Sequence, residues 1–270
     1  SLSLCAQGVS RSAMSPGSPD RGYQQRRDVR RQFVQKTFGI VATQLVVTAA
    51  VCCLVLFVPS VRTFVLSTWD TGGGLSNDTP SKLMWHNVVA FVLPFVFLFS
   101  SMTWQHRYPY NLLNIMLFTL SLTWGIARSC ALLYVAGFGG CIVWTLCLTA
   151  FATGSIVVYA LCSEGEFSYW RAALFVALVA FSAASVLSFV CHMAAWPFPH
   201  VFHCACGVVM FAMYLLYDVY ELSTTLSVDD HIIAAITIYL DILNLFLQLL
   251  TLMVRLAADA SQKKDEEKEK

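Results

Sequence analysis

The sequence is poor in charge. Only 12% of its 270 residues are charged, while 57% are hydrophobic. A soluble protein carries about 25% charged residues. Residues 1–36 and 255–270 hold nineteen of the charges, so only fourteen remain for the 218 residues between these two segments. A soluble fold of that size would lack a polar surface. The composition therefore excludes a cytosolic enzyme, a nucleic-acid-binding module and a disulfide-stapled secreted domain.

The sequence also lacks the motifs of common enzyme and metal sites. There is no HExxH, no GxSxG and no glycine-rich phosphate loop, so we do not expect an enzyme. Ten cysteines are present, but most lie in or beside apolar runs, where a free cysteine behaves as a small hydrophobic side chain. The cluster of His192, His200, His203, Cys204 and Cys206 matches no standard zinc spacing.

What the sequence does contain is seven apolar runs, each able to form a helix of about 20 residues that crosses a membrane. The predicted spans cover residues 39–58, 83–103, 111–127, 140–161, 172–190, 201–222 and 232–254. We place the end of the third span at Arg128. We therefore predict an all-α, polytopic membrane protein whose transmembrane domain occupies residues 37–256. Residues 1–36 form a basic, disordered segment before it, and residues 257–270 form a charged, disordered tail.

The basic residues indicate an orientation. Seven Lys and Arg residues precede Gly39, which places the N-terminal segment in the cytoplasm. The loop of residues 59–82 would then face the lumen or the exterior, and it contains a candidate glycosylation site at Asn77, although Pro80 disfavours its use. An odd number of spans puts the C-terminal tail outside. A re-entrant last segment would keep the tail, with its lysines, in the cytoplasm, and the sequence leaves both arrangements open.

Two acidic residues lie inside predicted spans. Asp218 is near the end of the sixth and Asp241 is in the middle of the seventh. A carboxylate at the centre of a membrane helix costs about 2.5–3.5 kcal/mol on insertion scales, so we expect it to be protonated, paired or hydrated. Spans six and seven are antiparallel neighbours because their connection is short. If the sixth helix continues to Leu226, both carboxyl groups lie about 12–14 Å from the same end of the pair of helices.

Two carboxylates that share a site titrate as a coupled pair, which can hold a proton at acidic pH and release it near neutrality. When both are ionised they repel each other or attract a divalent cation, and oxygen ligands suit Ca²⁺. A pH-sensitive cation gate is therefore the functional hypothesis. The simpler alternative is that each neutral aspartic acid only hydrogen-bonds a neighbouring helix.

Other polar residues flank the two aspartates. Glu221 either extends an acidic path towards the loop or is an interfacial charge. Asp229 and Asp230 open the seventh helix, where they suit the helix dipole or collect cations at a pore mouth. Asn244, one helical turn beyond Asp241, either donates a hydrogen bond to it or holds neighbouring helices together.

Four segments carry distinctive motifs: VRRQFVQKTFGIVATQLVVTA at 29–49, RYPYN at 107–111, MYLLYDVYEL at 213–222 and DDHIIAAITIYLDILNLFLQLL at 229–250. Together they resemble the Bax-inhibitor/lifeguard family, and the resemblance covers residues 29–256. The resemblance implies seven helices around a central seventh, a pH-dependent Ca²⁺ leak and a role in restraining cell death. The pH-sensing aspartate pair of the family falls on Asp218 and Asp241.

The sequence departs from the family in two places. Bacterial relatives carry an arginine in the second span that latches the aspartate pair, whereas residues 83–103 contain no Arg, Lys, Asp or Glu. Either Arg107 or Arg128 supplies such a latch, or there is none, so the latch is not carried over from the family. The alternative for Arg128 is a boundary residue whose side chain reaches the membrane interface. The fourth span also matches only loosely, with ATGSIVVYALCSEGEFSYW where an AFQTKxDFT-like stretch is usual.

The function expected from the sequence is a pH-modulated passive Ca²⁺ leak of an intracellular store, with Ca²⁺ bound transiently by Asp218 and Asp241 and no cofactor. The expected membrane is the endoplasmic reticulum or Golgi, with the plasma membrane or the mitochondrial inner membrane as alternatives. Expected partners are membrane lipid, Ca²⁺ and cell-death regulatory proteins, but not nucleic acid. The alternative function is a non-conducting scaffold that binds such regulators. An intramembrane aspartyl protease is a third reading, although its GLGD motif is missing.

Overall fold

The structure is a computed structural model that describes residues 19–67, 80–104, 107–162, 170–194, 196, 199–226 and 230–268. Throughout these ranges the regular secondary structure is helical, which confirms the all-α prediction. The helices are α1 (Pro19–Phe57), α2 (Pro59–Ser67), α3 (Pro80–Trp104), α4 (Tyr110–Val135), α5 (Gly139–Cys162), α6 (Trp170–Met193), α7 (His200–Thr224) and α8 (His231–Lys268). Asn77 and Asp229 lie outside the described residues.

The predicted count of seven spans is close to what the structure contains. In the described part of the chain, six helices (α1 and α4–α8) are long and apolar enough to cross a membrane. The second predicted span corresponds to α3, which has 25 residues. The nine-residue α2 belongs to the loop that follows the first span. The chain is an integral membrane protein.

The predicted end of the third span is wrong, because α4 continues past Arg128 to Val135. Arginine has a long side chain that can reach the membrane interface while its backbone stays helical. The helix is terminated instead by Gly137, which lies two residues beyond Val135 and has a φ of +91°. The backbone N–H groups of Gly137 and Phe138 bond to the carbonyls of Tyr134 and Leu133, which is a Schellman motif.

The first and last long helices extend beyond the predicted transmembrane domain. α1 begins at Pro19 and α8 ends at Lys268, so residues 19–36 and 257–268 are helical, whereas their composition predicts disorder. Elongating an existing helix requires no new nucleation, and Arg, Lys, Glu, Gln and Ala are good helix formers.

The last helix, α8, is central, as predicted for the seventh span. It packs against α1, α5 and α7 and also touches α3 and α4. In its most apolar stretch 61% of the residues are buried, against 11% to 44% in the five other spans. Helices that surround α8 therefore bury it from the lipid and place its side chains in the interior.

The helix termini define two ends of the bundle. At one end the Arg30 side chain of α1 donates to the backbone carbonyls of Ser223 (2.9 Å) and Leu226, just where α7 finishes. We call this the Arg30 end. α8 begins beside it and runs unbroken to the opposite end, where Arg255 contacts Cys204 near the start of α7. The last helix therefore runs the full length of the bundle. α1 also finishes at this opposite end, and Arg62 of the following helix α2 lies there. We call it the Arg62 end.

Candidate functional site

Asp218 on α7 and Asp241 on α8 meet in the interior of the bundle. Their carboxyl groups lie within hydrogen-bonding contact of each other. Asp218 is about 12 Å from Leu226 and Asp241 is about 15 Å from His231, so the depths of the two residues from the Arg30 end agree to about 3 Å. Asp241 is only 6% exposed, and Asp218 is half-buried.

The carboxylate pair has unused hydrogen-bonding capacity. The Oδ2 atoms of Asp218 and Asp241 are both buried, and neither has a hydrogen-bond partner among the described residues. An unpaired polar oxygen is costly in an apolar interior. The pair is therefore suited to take up a proton, a water molecule or a cation.

The described residues do not include a group of three or more His, Cys, Asp or Glu side chains that could hold a metal ion. Ca²⁺ prefers about six to eight oxygen ligands. Two carboxyl groups are therefore suited to weak, transient binding of the ion rather than to tight binding.

An arginine that sequence analysis missed lies beside the pair. Arg171, near the start of α6, donates from Nε to the Tyr217 hydroxyl at 2.7 Å and forms an ion pair with Glu221. It also acts electrostatically on Asp218, as does Glu221 with the opposite sign. The sequence of α7 contains an indirect signal for such a cation: Tyr217 and Glu221 are one turn apart on the same face, so one side chain can contact both.

The arginine that acts on Asp218 is Arg171 rather than one of the two predicted latch residues. Arg107 is exposed just before α4, and Arg128 is half-buried within α4. A latch role for Arg107 or Arg128 stays a prediction. Both are on or next to α4, whereas α6 carries the arginine that faces Asp218.

The remaining candidates are less closely tied to the pair. Glu221 is engaged by Arg171, so it is a paired charge rather than a free extension of an acidic path. Asn244 is half-buried, and no hydrogen bond joins it to Asp241 among the described side chains. Asp230 is half-buried at the first turn of α8.

A second polar cluster fixes α8 on its other side. Thr48 of α1 bonds to Thr123 of α4 at 3.0 Å and to the Tyr239 hydroxyl of α8 at 2.7 Å. One turn earlier, Gln44 donates to Thr119 at 2.9 Å. Tyr239 and Asp241 are two residues apart and so point about 200° apart around the helix. The cluster therefore anchors α8 to α1 and α4, while Asp241 faces α7.

Fold and site together define a polytopic helical membrane protein with a buried carboxylate pair between its last two helices. A family model described as inhibitor of apoptosis-promoting Bax1 matches residues 30–258, and the chain belongs to this Bax-inhibitor family. The match includes both aspartates and nearly all of the helical bundle. It confirms the resemblance inferred from the sequence motifs.

Individual relatives carry the same family names. A BI1-like protein of Arabidopsis thaliana is 27% identical over 224 residues, which cover 82% of this chain and 79% of the relative. LIFEGUARD 1 of the same plant is 28% identical, covering 85% and 91% of the two chains. A Golgi anti-apoptotic protein of Vaccinia virus (strain Lister) is 28% identical, covering 83% and 86%. These names point to a non-enzymatic membrane protein.

Proposed function

We propose that the protein is a pH-modulated passive Ca²⁺ leak channel of an intracellular membrane, with Asp218 and Asp241 as its proton sensor and gate. Through the Ca²⁺ content of the store it affects susceptibility to cell death. One observation carries the proposal: two carboxyl groups from neighbouring spans meet in the interior, each with a buried oxygen that has no partner in the described part of the chain.

The gate works through the charge of the pair. A single shared proton lets one carboxyl group donate to the other, which holds α7 and α8 together. Loss of that proton leaves two negative charges in contact in a medium of low dielectric constant, where they repel strongly. The repulsion is relieved when the helices separate or when a divalent cation enters between the carboxylates.

Arg171 and Glu221 adjust this equilibrium. The positive charge of Arg171 favours the ionised form of Asp218, and the negative charge of Glu221 opposes it. Because the side chain of Arg171 is 65% exposed, solvent weakens its effect. The ion pair lies between Asp218 and the Arg30 end, on the route by which an ion would reach the carboxylates from that side.

The proposed membrane is that of the Golgi or the endoplasmic reticulum. The name of the vaccinia relative supports the Golgi and an anti-apoptotic role. The lifeguard and Bax-inhibitor names support a role in restraining cell death.

The test is Ca²⁺ flux into sealed liposomes that contain the purified full chain, measured from acidic to slightly alkaline pH beside protein-free liposomes. We expect flux that depends on the protein and changes with pH around one midpoint. Liposomes that stay as tight as the protein-free control at every pH would contradict the proposal.

A non-conducting scaffold that binds cell-death regulators is the second candidate function. The observation that favours it is the extension of α8 to Lys268, which carries a charged helix past the apolar part of the bundle. A scaffold does not require the aspartates. If cells that carry Asp218→Asn and Asp241→Asn together are protected as well as wild type, the scaffold is favoured over the leak.

A further inference from the structure

A separate cavity of about 320 Å³ lies between α1, α4, α5 and α8, at the Arg62 end of the bundle. It is on the side of α8 that faces away from Asp241. Apart from Thr48 and Thr149, the side chains that line it are apolar or thiols. Its volume is at the lower limit for ligand pockets, which occupy about 300–1,000 Å³. The cavity is therefore large enough for one slender apolar group.

The cavity opens sideways to the bilayer. Its floor is buried, with Ile126 of α4 and Ile242 of α8 each 6% exposed. Its two walls are open: Val46 of α1 is 67% exposed and Leu146 of α5 is 55% exposed. The mouth is therefore between α1 and α5, and lipid rather than water reaches it.

The length of the cavity corresponds to one leaflet. Along α1 it extends from Leu45 to Leu56, which is a distance of about 16 Å. The hydrocarbon core of a bilayer is about 30 Å thick, so one leaflet accounts for about half of that. Leu56 is next to the last residue of α1, which puts the top of the cavity at the membrane interface.

A positive charge lies at that top. Arg62 of α2 donates from Nη1 to the backbone carbonyl of Leu56 at 2.9 Å, and its guanidinium lies 5.0 Å from the centre of the Tyr134 ring. These two contacts hold the group in place at the ends of α1 and α4. The guanidinium has further N–H donors in a planar fork that matches a phosphate.

We propose that this cavity binds one acyl chain of an anionic phospholipid, whose phosphate headgroup is held by Arg62. The cavity suits an acyl chain because its walls are apolar, it opens to the bilayer and it is as long as one leaflet. The positive charge of Arg62 at the interface end favours a headgroup with a net negative charge over phosphatidylcholine, in which the choline cation offsets the charge of the phosphate. The site is independent of the carboxylate pair and of the proposed Ca²⁺ leak.

The test is native mass spectrometry of the full chain extracted from vesicles of phosphatidylcholine and phosphatidylserine in equal amounts. We expect wild type to retain one phosphatidylserine. Ala49→Trp fills the cavity and should abolish retention, whereas Ala50→Trp should not. The two alanines are neighbours on α1 and both are exposed, but only Ala49 lines the cavity. Equal thermal stability of the two variants shows that both are folded.

Arg62→Gln tests the headgroup contact. We expect its preference for phosphatidylserine over phosphatidylcholine to fall by about tenfold, which corresponds to about 1.4 kcal/mol. Arg107→Gln, at an exposed arginine of the other end, should leave the preference unchanged. The proposal is overturned if wild type retains no lipid, if Ala49→Trp retains it like Ala50→Trp, or if Arg62→Gln keeps the wild-type preference.

Discussion

The proposed gate depends on Asp218 and Asp241, because a carboxyl group among apolar helices is costly unless it is protonated, paired or hydrated. Their contact was permitted by helix length but not required by it, and the packing of α7 on α8 supplies it. Arg171 is harder to find from the sequence, since an arginine at the start of a span resembles any boundary residue and its two partners on α7 are the one indirect signal. Asn244 lies one turn along α8 from Asp241, and no hydrogen bond joins the two in the described part of the chain, so its alternative role of holding neighbouring helices together stays a prediction.

The charges beside the pair should move the pH midpoint of the leak in opposite directions. Arg171→Gln removes a positive charge that favours ionised Asp218, so the midpoint should move to higher pH by a few tenths of a unit. Glu221→Gln removes a negative charge and releases Arg171, so the midpoint should move to lower pH. Ca²⁺ flux in liposomes at low salt measures both, and shifts of the same sign for the two variants would contradict this assignment.

The Tyr239 hydroxyl should contribute to stability rather than to gating. Tyr239→Phe removes the bond to Thr48 inside a fully buried cluster. We expect the free energy of unfolding to fall by about 0.6–1.5 kcal/mol. Chemical denaturation in detergent micelles measures it, with Tyr159→Phe as the control because Tyr159 is 58% exposed. Equal stability of the two variants would show that the cluster adds nothing.

The sequence predicts the order of the helices but not where each of them begins and ends. Apolar runs show where a membrane helix must exist, because a span needs about 20 such residues. They do not show where it ends, because α1 and α8 continue through charged residues and α4 continues through Arg128. The central place of α8 followed from the resemblance, whereas the α1–α4–α8 hydrogen-bond cluster depends on tertiary contacts that a single sequence does not specify.

The turn between α4 and α5 should depend on the backbone of Gly137. Its φ of +91° is unfavourable for a residue with a Cβ atom, although nothing lies within 4 Å of the place where that atom would be. Gly137→Ala should therefore destabilise the protein by about 1–2 kcal/mol through conformation alone. Gly140→Ala, which is equally uncrowded and has no positive φ, is the matched control in denaturation experiments. The explanation fails if the two variants unfold alike.

The first and last helices of the bundle run in the same direction. α1 and α8 both leave the Arg30 end, and α8 crosses without a break. This favours the outer position for the C-terminal tail, one of the two arrangements that the sequence left open. The carboxylate pair is nearer the Arg30 end, and the apolar cavity is nearer the Arg62 end.

This topology predicts that epitopes fused before α1 and after α8 lie on opposite sides of the membrane. In sealed vesicles, protease should remove one epitope and leave the other until detergent is added. Removal of both, or protection of both, would show that the two helix ends are on the same side.

The most direct measurement of the central claim is Ca²⁺ flux through Asp218→Asn and Asp241→Asn in liposomes, compared with wild type across the same pH range. Asp259→Asn is the matched control, because it is the same change on an exposed part of α8. We predict that each of the first two changes abolishes or shifts the pH midpoint, while Asp259→Asn behaves as wild type. If all four proteins leak with the same pH dependence, the carboxylate pair is not the gate.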